Sequence, residues 1–169
     1  MTNTDKLEAS LIYPREVKIR DGRNVSLRLM EAGDNQRILN FANSLPPDHL
    51  LFLRTDITDP RTIDEWVRSI EAGTTITVVA ELDSGVVGYA SLHTEGARWT
   101  RRVGEVRVQV GVDYRGAGLG KRLVGEIFRL GQVRDQEDGR DDDPGPEERA
   151  GCIRRAWLPG RGDAPRLGG

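Results

Sequence analysis

The stretch VQVGVDYRGAGLGKRLVGEIF, residues 108–128, constrains the fold of this chain more than any other part of the sequence. Its alternating valines predict a strand, which leads into three glycines at alternate positions and then into apolar residues at helical spacing. Glycine lets main-chain amides approach an anion, and the first turn of a helix has unpaired N–H groups. Arg115 and Lys121 add positive charge at either edge of the turn. We therefore predict that this turn binds a ligand that carries phosphate.

The spacing of these glycines excludes two common nucleotide motifs. The nucleotide P-loop requires G-x-x-x-x-G-K followed by Ser or Thr, whereas Gly116 and Gly120 lie one residue too close and Arg122 occupies the hydroxyl position. The dinucleotide motif G-x-G-x-x-G also fails, because the third glycine comes too early. The spacing present is R-G-x-G-x-G, which begins at Arg115 and includes Gly118.

The chain before the glycines has the periodicities of two strands, two helices and three further strands, in that order. The turn signal DGRN separates the first two strands, and DSG predicts a hairpin between the third and fourth. Asp59 or Thr62 can cap the second helix, and Gly73 can end it. The predicted ranges are strands 17–20 and 24–30, helices 31–45 and 61–73, and strands 75–82, 86–93 and 103–112.

The glycine turn resembles the coenzyme-A loop of the GNAT N-acetyltransferase superfamily. That loop follows a strand and reads roughly as Gln or Arg, two residues of any type, Gly, any residue, then Gly or Ala; Arg115, Gly118 and Gly120 match it. The order of strands and helices is also similar to that family. The resemblance covers about residues 15–130. It implies an α/β (α+β) fold with a GNAT-like mixed, mostly antiparallel sheet flanked by helices.

The resemblance further implies acetyl-CoA as co-substrate and no metal. Main-chain amides of the loop are expected to bind its pyrophosphate, and the backbone around two strand valines its pantetheine arm, while the side chains of those valines belong to the core. A primary amine of a small molecule or peptide then attacks the acetyl group directly. The implied cofactor-binding residues are Val108, Val110, Arg115, Gly116, Ala117, Gly118, Leu119, Gly120 and Lys121.

Amine attack requires a neutral amine, so a general base near the thioester helps the reaction. Glu105 is the first candidate, because it lies on the motif strand where some family members place a glutamate. It shares a polar face with Arg107 and Gln109, so a solvated or ion-paired face is the alternative. His93, at a strand end, can titrate near neutral pH or be structural. His49 lies in a loop and is a candidate for substrate contact.

Composition and charge narrow the classes of partner. The formal net charge of −2 gives no sign of nucleic-acid binding or of an acidic membrane surface. The basic stretch at residues 97–102 is interpreted either as a cationic rim for phosphates or an acidic substrate, or as a solvated turn. A single cysteine excludes a disulfide within the chain. No signal peptide or long apolar run is apparent, and residues 1–14 read as a loose leader, so we expect a cytoplasmic protein.

The composition changes beyond residue 130. Residues 131–169 are rich in Arg, Asp, Gly and Pro, which predicts a disordered or irregular tail. The GNAT resemblance implies a further strand, helix and hairpin after the motif helix, and the cofactor slot lies between the motif strand and that next strand. We therefore expect the domain at residues 15–130 to be incomplete at its C-terminal side.

A shift of reading frame offers an explanation for the tail. Read one base forward from Asp135, the residues can be recoded into a strand pattern, KKMVAMMT, and a helix, DQKSARAAFEEL, followed by a glycine and a further strand. This string is typical of the missing part of a GNAT domain and predicts an insertion or deletion near residues 130–135. Three alternatives stay open: an acetyl-CoA-dependent N-acetyltransferase, a non-catalytic module that binds coenzyme A or another anion, and a truncated inactive product.

Overall fold

The protein is represented by a computed structural model, which describes residues 13–51, 53–94 and 104–138, with side chains as far as residue 132. Five strands and four helices lie in these ranges, with short 3-10 turns at Ala32–Asp34 and Val112–Tyr114. The strands are β1 (Arg15–Lys18), β2 (Asn24–Leu29), β3 (Thr75–Leu82), β4 (Gly85–Thr94) and β5 (Gly104–Val110). The helices are α1 (Asn35–Ser44), α2 (Pro47–Leu50), α3 (Pro60–Glu71) and α4 (Leu119–Asp138).

The strands form one sheet in the order β1-β2-β3-β4-β5, and every neighbouring pair is antiparallel. The predicted hairpin between β3 and β4 is confirmed, and Asp83 and Ser84 at its tip have φ values of 50° and 65°. Two left-handed residues give a two-residue turn the twist that antiparallel strands require. Among the described strands, β5 stands at the edge of the sheet, beside β4 only.

One face of the sheet packs against α4, and we call it the α4 face. Leu119, Leu123 and Ile127 of α4 are fully buried on strands β3 and β4. Gly88 on β4 leaves room for this helix, because a Cβ there would lie 3.3 Å from Leu123 Cδ1. The valines of β5 face the same way and are partly buried against this cluster. The motif helix therefore starts at the glycine turn and crosses the centre of the sheet.

The opposite face packs against α1 and α3, and we call it the α1/α3 face. Tyr89 of β4 lies between Phe41 of α1 and Trp66 of α3, with ring centroids 6.1 and 4.8 Å apart. The indole Nε1 of Trp66 donates to Thr77 Oγ1 at 2.9 Å, so a buried polar pair sits inside an otherwise apolar cluster. The α1/α3 face therefore has a buried core of its own.

The N-terminal caps of α2 and α3 show how these two helices begin. Asp59, rather than Thr62, caps α3: its carboxylate accepts from Arg61 N at 2.9 Å. The proline pair begins a short helix: Pro46 is the N-cap of α2 and Pro47 its first residue. Proline at the first helical position loses no hydrogen bond, which explains the short helix.

Three predicted boundaries are wrong. The first strand ends at Lys18, because Ile19 N bonds Arg23 O at 3.0 Å and closes a turn. The motif strand ends at Val110, and Val112 lies in a 3-10 turn with 48% of its surface exposed. α4 continues to Asp138, past the expected boundary at residue 130. Residues 131–138 are thus helical rather than irregular.

Several expectations lie outside the described residues. These are the leader up to residue 12, the basic stretch at residues 97–102 and the tail from residue 139 onward. The division into leader, domain and tail stays a prediction. No helix in the described ranges has both the length and the apolar character needed to cross a membrane.

Candidate functional site

The glycine turn between β5 and α4 has the backbone that its sequence requires. Gly116 and Gly118 have φ values of 75° and 83°, in the left-handed region that residues with a Cβ rarely adopt. A Cβ at Gly116 would meet no atom within 4 Å, so backbone conformation rather than space demands glycine there. The turn thus doubles back just before the helix and leaves its outer side open.

The amides of this turn are largely unused. Ala117 N donates to Tyr114 O at 3.4 Å, and the first bond toward α4 runs from Arg122 N to Gly118 O at 3.2 Å. Unpaired first-turn amides carry the positive end of a helix dipole, which attracts anions. Within the described part of the chain, no protein acceptor faces the amides of Gly116, Gly118, Leu119, Gly120 and Lys121.

The turn between β1 and β2 supports the glycine turn from the side. Arg20 N donates to Ala117 O at 2.9 Å, and the Arg20 side chain runs 3.5–3.7 Å from the position of a Cβ on Gly118. Arg23 donates from Nη2 to Asp113 O at 2.8 Å, and its guanidinium lies 4.1 Å from the Tyr114 ring centroid. The sequence marked residues 21–24 only as a turn and placed Arg20 in a strand, so these contacts were missed.

Arg115 and His49 come together above the turn. Two guanidinium nitrogens of Arg115 lie 3.0 and 2.9 Å from the two ring nitrogens of His49. A neutral imidazole accepts through one nitrogen only, so one of these contacts is a hydrogen bond. His49 was expected in a loop and in contact with substrate; it belongs to α2, and its observed partner is the loop arginine.

Glu105 is ion-paired rather than free. Its carboxylate accepts from Arg107 Nε at 3.1 Å and from Arg54 Nη1 at 2.8 Å. Burial alone raises the pKa of Glu105, but the hydrogen bonds and charges of Arg107 and Arg54 together hold that pKa below its usual value. The carboxylate is therefore ionised at neutral pH, as a base must be, and its basicity is weakened.

His93 lies directly across the strand pair from Glu105, so the structure brings the two acid–base candidates together. Its ring nitrogens contact Thr75 Oγ1 at 3.1 Å and Ser91 Oγ at 2.8 Å. Burial first, and the charge of Arg107 second, lower the pKa of His93 to about 4, although Glu105 acts in the opposite direction. Of the two alternatives for His93, the buried and hydrogen-bonded ring fits the structural one better than a group that titrates near neutral pH.

Gln109 is a further candidate for function, which the alternation of polar residues on β5 did not reveal. It pairs across the sheet with Tyr89 and is only 9% exposed, whereas its strand neighbours suggested a solvated face. Its amide Nε2 is buried without a hydrogen-bond partner in the described residues. Burial also raises the pKa of Tyr89 to about 12, against a smaller effect of the Arg107 charge. Gln109 and Tyr89 therefore lie together in a buried, poorly hydrated environment, in which Tyr89 is un-ionised.

Metal ligation has no support in the described ranges, where no group of three or more His, Cys, Asp or Glu side chains could hold an ion.

The family model described as acetyltransferase (GNAT) family matches residues 38–135, more than half of the chain. The chain belongs to the GNAT acetyltransferase family. The predicted family and fold class are thus confirmed. Comparison with curated proteins finds no significant match.

Solved structures of GNAT proteins share the fold. The GNAT domain of S. lividans PAT has a TM-score of 0.60 at 18% identity, over 71% of this chain and 72% of that one. Ribosomal-protein-alanine N-acetyltransferase from Brucella melitensis has a TM-score of 0.53 at 24% identity, over 64% and 67%. PaiA N-acetyltransferase from Thermoplasma acidophilum, solved with coenzyme A, has a TM-score of 0.52 at 12% identity, over 65% and 73%.

The predicted site residues lie in two separate parts of the structure. The loop candidates, residues 115–121, lie at the start of α4, while Glu105 and His93 lie on the α1/α3 face near the beginning of β5. Five residues of strand separate Glu105 from Val110, about 16 Å at 3.3 Å per residue. Their roles in binding and catalysis stay predictions.

Proposed function

We propose that this chain binds acetyl-CoA at the glycine turn and transfers the acetyl group to a primary amine of a small molecule or peptide. The observation that carries the proposal is the run of unpaired amides at the start of α4, behind left-handed Gly116 and Gly118. A diphosphate would accept from these amides and meet the helix dipole. Arg115 and Lys121 are exposed beside them and add positive charge.

The chemistry proposed is direct transfer. The lone pair of the amine attacks the thioester carbonyl carbon, a C–N bond forms, the C–S bond breaks, and the thiolate of coenzyme A leaves. The proton lost by the amine passes to a base or to water. Glu105 is ionised and is the side chain we assign to this step, with its two arginine partners making it a weak base. His93, neutral and held by two hydroxyls, is the second candidate.

A thermal-shift titration with acetyl-CoA, combined with an assay of thiol release over a panel of amines, tests the proposal. A ligand at about 100 times its Kd adds roughly 2.7 kcal/mol to the folded state, which raises Tm by roughly 5–10 °C. We expect that shift together with amine-dependent release of free thiol. A shift without thiol release favours the non-catalytic coenzyme-A module. The absence of both a shift and a cooperative melt favours the truncated inactive product.

The substitution Gly118→Ala tests whether the turn is the binding site. A residue with a Cβ at φ 83° costs about 1 kcal/mol, and the turn relaxes away from the geometry that aims its amides. We expect acetyl-CoA to bind about tenfold more weakly, measured by calorimetry. Gly125→Ala is the matched control, since Gly125 lies on the exposed side of α4 with open space around its Cβ position. Equal affinities in the two variants would place the cofactor elsewhere.

A further inference from the structure

The outer part of the α1/α3 face contains a row of polar side chains on β5. Glu105, Arg107 and Gln109 occupy alternate positions, so they point the same way and stand roughly 6.6 Å apart along the strand. Opposite them on β4 lie His93, Ser91 and Tyr89, in that order. Since β5 is the last described strand of the sheet, this row stands at the edge of the described sheet.

Gln109 provides the observation that points to a ligand. Its side chain is more than nine-tenths buried, and its Nε2 has no acceptor among the described residues. Burying an unpaired amide N–H is unfavourable, so an apolar residue would be more stable here if nothing bound. Glutamine at this position is therefore explained if a ligand oxygen accepts from Nε2.

The charge beside Gln109 specifies what kind of oxygen fits. Arg107 directs Nε and Nη2 toward Glu105 and is partly exposed, with 28% of its side chain accessible. Its positive charge lowers the pKa values of both Tyr89 and His93, so its field covers this part of the face. Arg107 and Arg54 together face a single carboxylate, Glu105, which leaves an excess of positive charge. An anionic acceptor is favoured over a neutral one.

We infer that Gln109 and Arg107 bind a carboxylate of the amine substrate, so that the substrate class is amines that also carry a carboxylate. The inference rests on the proposed acetyltransferase function, in which the backbone of Val108 and Val110 binds the pantetheine arm of acetyl-CoA. Gln109 lies between these valines with its side chain on the other face. A carboxylate held there keeps the neighbouring amine close to that strand. Gln109 is thus a specificity-determining residue.

A matched panel of amines tests the inference. Each amine is assayed as its carboxylate, its carboxamide and its decarboxylated form, with acetyl-CoA saturating. We expect kcat/KM for the carboxylates to exceed that for the other forms by about tenfold or more, because a charge-assisted hydrogen bond contributes at least 1.4 kcal/mol. Gln109→Met keeps the length of the side chain and removes the donor. In this variant we expect the preference to disappear while KM for acetyl-CoA is unchanged.

A direct binding measurement keeps this inference separable from the acetyltransferase proposal. Addition of an amino carboxylate is expected to shift the side-chain NH2 signals of Gln109 in a 15N–1H spectrum, and its carboxamide is not. Gln36→Met is the control variant, since Gln36 is exposed on α1 and pairs only with Asn40 in the described structure.

A shift of the Gln109 signals without any thiol release would support the carboxylate site while contradicting the acetyltransferase function. Equal behaviour of carboxylate and carboxamide in both measurements would overturn the inference. Retention of the preference in Gln109→Met would overturn it as well.

Discussion

The two faces of the sheet use the same strands for different purposes. On the α4 face, β3, β4 and β5 present aliphatic side chains and Gly88, and the helix opposite them contributes fully buried leucine and isoleucine. On the α1/α3 face the same strands carry hydroxyls, an imidazole, a guanidinium and an amide close to the aromatic cluster of Tyr89. Alternation along a strand makes this separation possible. Both faces bury an apolar cluster, but the candidate acid–base groups lie only on the α1/α3 face.

The largest expected difference between the faces comes from Leu123→Ala. Leu123 is fully buried on the α4 face against Gly88, so truncation removes apolar contacts and leaves a cavity. We expect a loss of about 3 kcal/mol in the free energy of unfolding, measured by urea denaturation. Leu51→Ala is the control, because Leu51 is 78% exposed and its loss should cost less than about 0.5 kcal/mol. Equal losses would mean that α4 does not hold the sheet.

A smaller loss is expected at the ion pairs on the α1/α3 face. Arg28 donates from Nη1 and Nη2 to Asp34, both at 2.7 Å, and also to Glu81 at 2.6 Å. Arg28→Ala leaves the buried carboxylate of Asp34 unpaired, which should cost about 2 kcal/mol at pH 7. Burial raises the pKa of Asp34, but the hydrogen bonds and charge of Arg28, with the Glu31 amide, hold that pKa below its usual value. The loss should therefore shrink near pH 3, because this stabilisation disappears once the carboxylate is protonated.

The matched control is Arg61, an arginine whose partner Asp59 lies at the surface. Arg61→Ala should leave the urea midpoint unchanged at both pH values. If Arg28→Ala and Arg61→Ala behave alike, the cluster at Asp34 contributes no more than a surface pair.

The smallest effect is a dependence of stability on pH at His93. Its pKa in the folded protein, about 4, lies below the unfolded value of 6.5, so the unfolded chain binds more protons between these values. Its contribution is complete above pH 6.5 and is lost as pH falls toward 4. After allowance for partial exposure, we expect about 1–2 kcal/mol less stability at pH 5 than at pH 7.

His93→Gln should flatten this slope, measured as the urea midpoint at half-unit steps from pH 7 to pH 5. The carboxylates on the same face titrate below this window, which isolates the imidazole. A slope that persists unchanged in the variant would assign the acid sensitivity to another group.

Much of the fold was predictable, because local sequence patterns determine it. The strands that became β3 and β4, the hairpin at Asp83 and Ser84, and the glycine turn followed from alternation, turn residues and helical spacing. Strand ends were misplaced where a turn bond decided them, as at Ile19.

The site was less predictable, because contacts between distant residues define it. Arg54 reaches Glu105 across 51 positions, and nothing near either residue in the sequence indicates this ion pair. The polar alternation on β5 correctly grouped Glu105, Arg107 and Gln109 but indicated a solvated face. Burial of Gln109 and the low pKa of His93 depend on what packs over the strand, which periodicity does not encode.

The β1–β2 hairpin contacts the segment that precedes α4, although the two are far apart in the sequence. The main-chain hydrogen bond from Arg20 and the contact of Arg23 with the Tyr114 ring hold the segment that precedes α4 in place. Arg23 and its acceptor Asp113 are 90 positions apart in the sequence. Because these contacts already order that segment, binding of an anion would cost less conformational entropy. We therefore propose that residues 19–23 contribute to the affinity of the glycine turn for its ligand, which would make the β1–β2 hairpin part of the proposed coenzyme-A site.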